Sequence, residues 1–187
     1  MDKLHHVIQL ILNIPKFYPF MLKELLMEEN AVKKGNFTLT SGKQSEYYVD
    51  IKDACTKPHI MKEIVHEIIK KLNAKIVAGV ELGAVPIVIG VSYQMNIPYL
   101  IIRKESKHGM KKLIIGNPEK GSEINIIEDV VTTGNSVLKA VNLLRENGCV
   151  VKRAITVVDR EEGGYELLKD NGVELISLVK LKEIFEK

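Results

Sequence analysis

Cysteine is scarce in this chain: Cys55 and Cys149 stand far apart, with no Cys or His at metal-ligand spacing from either. That argues against a zinc site or a disulfide framework and reads both as free thiols in a reducing cytoplasm. No apolar stretch reaches the length that spans a bilayer, and the first residues lack the charged, apolar and small-residue order of a secretion signal. The expectation is a soluble cytoplasmic protein with no membrane partner. Aromatic residues make up only 5% of the chain, and none interrupts its densest basic run, Arg103, Lys104, Lys107, His108, Lys111 and Lys112. Glu105 is the only acid within that run, and no nucleic-acid motif surrounds it. A polyphosphate suits it better than nucleic acid. With 187 residues, 45% hydrophobic and 27% charged, the chain is long enough to bury the core of one globular domain, and a net charge of +3 adds little.

The densest chemistry lies at Ile124-Asn125-Ile126-Ile127-Glu128-Asp129-Val130-Val131-Thr132-Thr133-Gly134-Asn135-Ser136. An apolar run ends in two carboxylates, passes a hydroxyl-rich turn and enters helical spacing at Val137, Leu138, Val141 and Leu144. This predicts a strand over Glu123 to Ile127, a loop, and a helix over Ser136 to Glu146. Thr132, Thr133 and Gly134 would wrap a phosphate at the helix N-terminus. Glu128 and Asp129, leaving the strand where the chain turns, would both aim at vicinal hydroxyls. An apolar strand followed by Asp and a Gly turn is also common in α/β proteins of every function. The full string, however, resembles the phosphoribosyl-pyrophosphate (PRPP) loop of type I phosphoribosyltransferases.

Three further stretches carry the resemblance. Phe37-Thr38-Leu39, Ser41-Gly42-Lys43 and Ser45-Glu46-Tyr47-Tyr48 read as two short strands around a turn, and they resemble the N-terminal hood of orotate phosphoribosyltransferases. Arg103-Lys104-Glu105-Ser106-Lys107-His108-Gly109 reads as an exposed loop and is similar to the family's catalytic loop, although His108 follows Lys107 directly where the family has one residue between. Asp159-Arg160-Glu161-Glu162-Gly163-Gly164 follows a predicted strand over Val150 to Val158 and resembles the family's base-binding turn.

Elsewhere, periodicity predicts helices over Met21 to Glu29, Lys57 to Leu72, Ile87 to Met95 and Tyr165 to Asn171. Strands are expected at Ile76 to Val80, Pro98 to Ile102, Leu113 to Ile115 and Val173 to Val179, with Leu181 to Lys187 a polar tail. The alternation of strands and helices gives an α/β fold with a mainly parallel central sheet flanked by helices. The resemblance makes this the type I phosphoribosyltransferase fold with a small N-terminal hood, one domain over 21–187. Residues 1–20 read either as an extension, or an upstream start, or as an extra packing helix.

The resemblance implies transfer of the phosphoribosyl group of PRPP to orotate, giving orotidine 5′-monophosphate and pyrophosphate, with Mg²⁺ held mainly by PRPP rather than by protein side chains. It implies PRPP binding by Arg103, Lys104, Lys107, His108, Glu128, Asp129, Val130, Val131, Thr132, Thr133, Gly134, Asn135 and Ser136, with Lys107 and Asp129 catalytic. Thr132, Arg160, Lys43 and Tyr48 would meet orotate. It further implies a homodimer sharing loop 103–112 across its interface. The turn Glu81 to Pro86 would border the pyrophosphate, with Gly83 where some relatives carry a lysine. The alternatives are transfer to another base, or a PRPP-sensing transcription regulator; residues 1–34 are too short and too poor in basic residues for a convincing DNA-binding helix-turn-helix.

Overall fold

The computed structural model describes residues 22–38, 44–104 and 112–185. Residues 1–20, Lys43 with its Ser-Gly turn, and Lys107 with His108 lie outside the described residues.

After the helix Leu22–Glu28 (α1), Val32–Thr38 (β1) pairs antiparallel with Gln44–Val49 (β2), the expected hood hairpin, which begins earlier than the sequence suggested. A short helix not anticipated, Ile51–Ala54 (α2), follows because the Asp50 carboxylate accepts the Asp53 N–H and caps it. Pro58–Ile69 (α3) starts on proline, whose missing N–H costs nothing in a first turn, and buries Ile60, Ile64, Val65 and Ile68 at helical spacing.

The remaining elements are Val77–Val80 (β3), Val85–Met95 (α4), Tyr99–Ile102 (β4), Ile114–Ile115 (β5), Glu123–Val131 (β6), Asn135–Glu146 (α5), Val150–Asp159 (β7), Gly164–Asp170 (α6), Glu174–Lys180 (β8) and Leu181–Phe185 (α7). The six-stranded sheet runs in the order β5-β4-β3-β6-β7-β8, parallel except for β5 at its edge. Strands β3 and β6 carry near-continuous apolar sequence because both faces of the sheet are covered. On one face Ile127, Ile155 and Val157 pack against α1, α3, α4 and α7, and on the other Ile124, Ile126 and Ala154 pack against α5 and α6.

Two corrections follow from packing. Strand β6 continues past Ile127 to Val131, because β7 keeps pairing alongside it through Glu128 with Thr156, Val130 with Val158 and Val131 with Asp159. Backbone hydrogen bonds are indifferent to the carboxylates they carry, so the two acids lie within the strand and not where the chain turns. The C-terminal segment is not a polar tail as far as Phe185: Leu181 and Ile184 are buried, and Phe185 stacks on Tyr47 with ring centroids 4.4 Å apart. That contact ties the hood to the end of the sheet.

From β3 the chain moves outward to β4, then returns to β6 and proceeds through β7 to β8. The switch point therefore lies between β3 and β6, and the crevice beyond their carboxyl ends is where such a sheet binds a ligand.

Candidate active site

Two loops leave the sheet at that switch point. The one after β6, Thr132 to Gly134, leads into α5 through Gly134, whose φ of 77° is left-handed and suits glycine. No side chain caps the helix, so its first-turn N–H groups remain available. Glu128 and Val130 to Val137 line a hollow of about 30 Å³ there, on the scale of a single small anionic group. Asn135 Nδ2 donates to Thr133 Oγ1 at 2.9 Å, which fixes the loop's hydroxyl edge. All seven expected loop residues, Val130 to Ser136, thus gather around one cradle. A larger open hollow of about 480 Å³ between residues 112–118 and the C-terminal end of α5 is lined by no carboxylate among the described residues.

The loop after β3, Glu81 to Ala84, faces the first across the crevice. The Asp129 carboxylate lies against Gly83 so closely that a Cβ there would occupy the space of both carboxylate oxygens. A side chain at position 83 has no room beside an Asp129 so placed. The Asp129 charge also adds to burial in pushing the Cys55 thiol up to about 12, which keeps that sulfur protonated and inert.

The two acids have different surroundings but stay in contact. Glu128 lines the hollow and Asp129 lies against Gly83, and their side chains hydrogen-bond to each other. They remain neighbours: the Asp129 N–H donates to Glu128 Oε1 at 3.2 Å. Burial, first, and the adjacent Asp129 carboxylate, second, hold the Glu128 carboxyl well above its ordinary value of 4.5, with the Asp129 N–H and then Lys104 pulling the other way. A folded-state value raised in this way favours folding below about pH 4.5 and loses that contribution as pH rises through the folded value. Glu128→Gln keeps the hydrogen bonds and cannot ionise. Its melting temperature should exceed that of the parent by a margin that widens from pH 4.5 upward, reaching at least about 2 °C, the shift that ~1 kcal/mol gives a domain of this size. A margin independent of pH in thermal melts would remove ionisation as the cause.

Arg103 and Lys104 emerge from β4 beside the same crevice. Glu81 Oε1 accepts the Lys104 N–H at 2.7 Å, Glu81 Oε2 lies 4.0 Å from Arg103 Nε, and the Arg103 N–H donates to the Leu113 carbonyl at 2.8 Å. Glu81 thus anchors the start of the Arg103-Lys104 stretch, a contact that the sequence reading of the turn Glu81 to Pro86 did not anticipate. Its signal was its place at the end of a buried strand, two residues before the glycine already singled out.

Arg160 follows β7, with its N–H donating to the Val131 carbonyl at 2.9 Å, so the base turn and the phosphate loop share a hydrogen bond. Two glycines bring them closer still. A Cβ on Gly164 would strike Val131 Cγ1 and lie 2.7 Å from the Thr132 carbonyl, and a Cβ on Gly134 would lie 3.0 Å from Gly164 Cα. Tyr48 sits on the exposed side of the hood, against Phe37 at 5.5 Å between ring centroids, with its hydroxyl donating to Asp50 Oδ2 at 3.0 Å. That hydrogen bond, foremost, raises the phenol above its ordinary value and keeps it a neutral donor.

Comparison with known proteins agrees with this geometry. Residues 52–182 match the family model described as phosphoribosyl transferase domain. The chain is 56% identical to an orotate phosphoribosyltransferase of Thermoplasma volcanium across 88% of its own length and 99% of that protein. It is 55% identical to one of Thermoplasma acidophilum across 87% of its length and 95% of that protein. The crystal structure of orotate phosphoribosyltransferase from Aeropyrum pernix superposes with a TM-score of 0.80 at 33% identity, covering 88% of this chain and 96% of that one.

Proposed function

The chain belongs to the orotate phosphoribosyltransferases of the phosphoribosyl transferase family, and from that membership we propose how its residues divide the work. It transfers the phosphoribosyl group of PRPP to orotate, giving orotidine 5′-monophosphate and pyrophosphate, a step of pyrimidine biosynthesis. The observation that carries the assignment of roles is the interlock at Gly134 and Gly164, which sets the Arg160 turn directly on the phosphate loop. A base held by the first is thereby presented to a sugar phosphate held by the second.

The 5′-phosphate is read into the Thr132 to Ser136 cradle, where helix N–H groups and hydroxyls meet an anion. Glu128 and Asp129 take the ribose hydroxyls. As the bond to pyrophosphate breaks, C1 of the ribose loses electrons, and the negative charge of Asp129 favours the cationic ring while Arg103, Lys104 and Lys107 neutralise the departing diphosphate. His108 joins them on the same loop, and closure of that loop excludes water. The base nitrogen supplies the electron pair for the new bond, so no protein nucleophile is needed.

Magnesium fits this donor set, since it is a hard cation that keeps phosphate and carboxylate oxygens as ligands. Bound with PRPP it would offset charge on the diphosphate. PRPP itself is read as its main ligand. Orotate carries a carboxylate that Arg160 would meet, with Thr132 at the ring edge, Tyr48 over its face and Lys43 favouring its charge.

An exposed apolar face supports a homodimer. Leu82 is 73% and Tyr93 90% exposed, and Ile89, one turn before Tyr93, shares its face of α4. The face begins next to Gly83, so a second copy seated on it would border the active site. Among the described residues no helix is long and apolar enough to cross a membrane, and the two cysteines are buried and free. We read the enzyme as cytoplasmic.

Arg160→Ala tests the base assignment. The KM for orotate should rise about 10- to 100-fold, the range expected when charge-assisted hydrogen bonds are lost, while the KM for PRPP stays within about twofold. Equal weakening of both substrates in steady-state kinetics would take Arg160 out of the base pocket.

A further inference from the structure

The two acids that follow Arg160 have different partners. The Glu161 N–H donates to Asp159 Oδ1 at 2.8 Å, which holds Glu161 at a left-handed φ of 56°, and its own carboxylate turns away to accept the Lys182 N–H at 3.1 Å. Glu162 turns the other way, placing Oε1 2.8 Å from Arg160 Nη2. The turn that presents it is pinned by Arg160 N–H to Val131, by Asp159 to Glu161 and by Gly164 against the phosphate loop. Its carboxylate therefore has little backbone freedom to leave. Within the pair the Arg160 side chain is 10% exposed and that of Glu162 39%, so the acid is the partner on the solvent side.

We propose that Glu162 is a built-in counter-ion of Arg160 that sets the affinity for the substrate carboxylate, which binds by taking over or sharing the guanidinium that Glu162 holds. The inference rests on the reading of Arg160 as the orotate carboxylate's partner. A guanidinium has donors for two carboxylates, but the second arrives at a site whose charge the first has already balanced. Glu162 thus weakens orotate binding, and it does so only for ligands that carry the anionic group. A pyrimidine without a carboxylate gains nothing from its removal.

Glu162→Gln keeps an oxygen that can accept from Arg160 and removes only the charge. An exposed ion pair is worth little, so the KM for orotate at saturating PRPP should fall about three- to fivefold, with the KM for PRPP unchanged. The ratio of the parent and variant values should shrink toward one as salt is raised, since the pair is partly exposed. Binding of uracil should not change. In an Arg160→Ala background, Glu162→Gln should have no effect on orotate. An unchanged or higher KM for orotate in Glu162→Gln overturns the proposal, as does an effect that persists without Arg160. A rise in Glu162→Ala with none in Glu162→Gln overturns it too, by making Glu162 an orienting group. Should Arg160→Ala itself leave the KM for orotate unmoved, the base assignment fails and this inference with it. If only Glu162→Gln disappoints, the assignment stands alone.

Discussion

Gly83→Ala is expected to lower kcat/KM at least about 100-fold while the protein still folds, because misplacing a catalytic group by about 1 Å costs on that order. The added Cβ would fall on the Asp129 carboxylate, the end of a side chain that can rotate away, and not on backbone that would have to move. Stability should change little, with the melting temperature within about 3 °C of the parent. Activity should collapse, since the carboxylate then no longer faces the ribose. Asp129→Asn should reproduce much of the kcat loss with PRPP binding retained, because its benefit grows as the sugar becomes cationic. In an Asp129→Ala background the glycine substitution should cost almost nothing further, as two changes acting through one contact do not add. A full additional 100-fold loss in that background would show that Gly83 matters through the backbone of its own turn, and Asp129 would lose its claim to the space beside it.

The contact between Gly83 and Asp129 also shows where sequence reading stops. Local signals were enough for most elements: Pro58 with Ile60, Ile64, Val65 and Ile68 marked α3, and Asn147-Gly148 marked the end of α5. The phosphate loop was legible for the same reason, since strand, hydroxyl turn and helix start are consecutive in the chain. What sequence could not supply was anything created by pairing between distant segments. The extension of β6 to Val131 depends on β7, and it alone puts Glu128 and Asp129 inside a strand. Glu81 became an anchor only when β3 and β4 paired and brought Arg103 and Lys104 beside it. Gly164 looked like a turn residue, yet its requirement is the approach of Val131 and Thr132 from a different strand. The C-terminal residues were misread because Leu181, Ile184 and Phe185 lie between charged neighbours, and their apolar partners, Tyr47 among them, are far away in sequence. Spacing reveals a face, and only the fold reveals what meets it.

The largest recovery of activity should come from mixing two dead proteins. If Lys107 reaches the diphosphate in the opposite subunit, Lys107→Ala and Asp129→Ala homodimers should each be nearly inactive, every site lacking one of the groups. A mixed dimer distributes the losses unevenly. One site takes its carboxylate from the Asp129→Ala subunit and its loop from the Lys107→Ala subunit, and so has neither group. The other takes its carboxylate from the Lys107→Ala subunit and its loop from the Asp129→Ala subunit, and so has both. Random exchange of equal amounts makes roughly half of all dimers mixed, with one sound site of two in each, so activity should return to roughly a quarter of the parent if the sites work independently. The exposed face from Leu82 along α4 supplies a matching control: Tyr93→Glu, a charge placed at its most exposed aromatic, should weaken the dimer and lower activity in proportion. Were Lys107 to serve its own subunit, every site in the mixture would lack one group or the other. Exchange verified by native mass spectrometry, with no activity regained, would then confine the loop to its own active site and leave the orotate chemistry untouched.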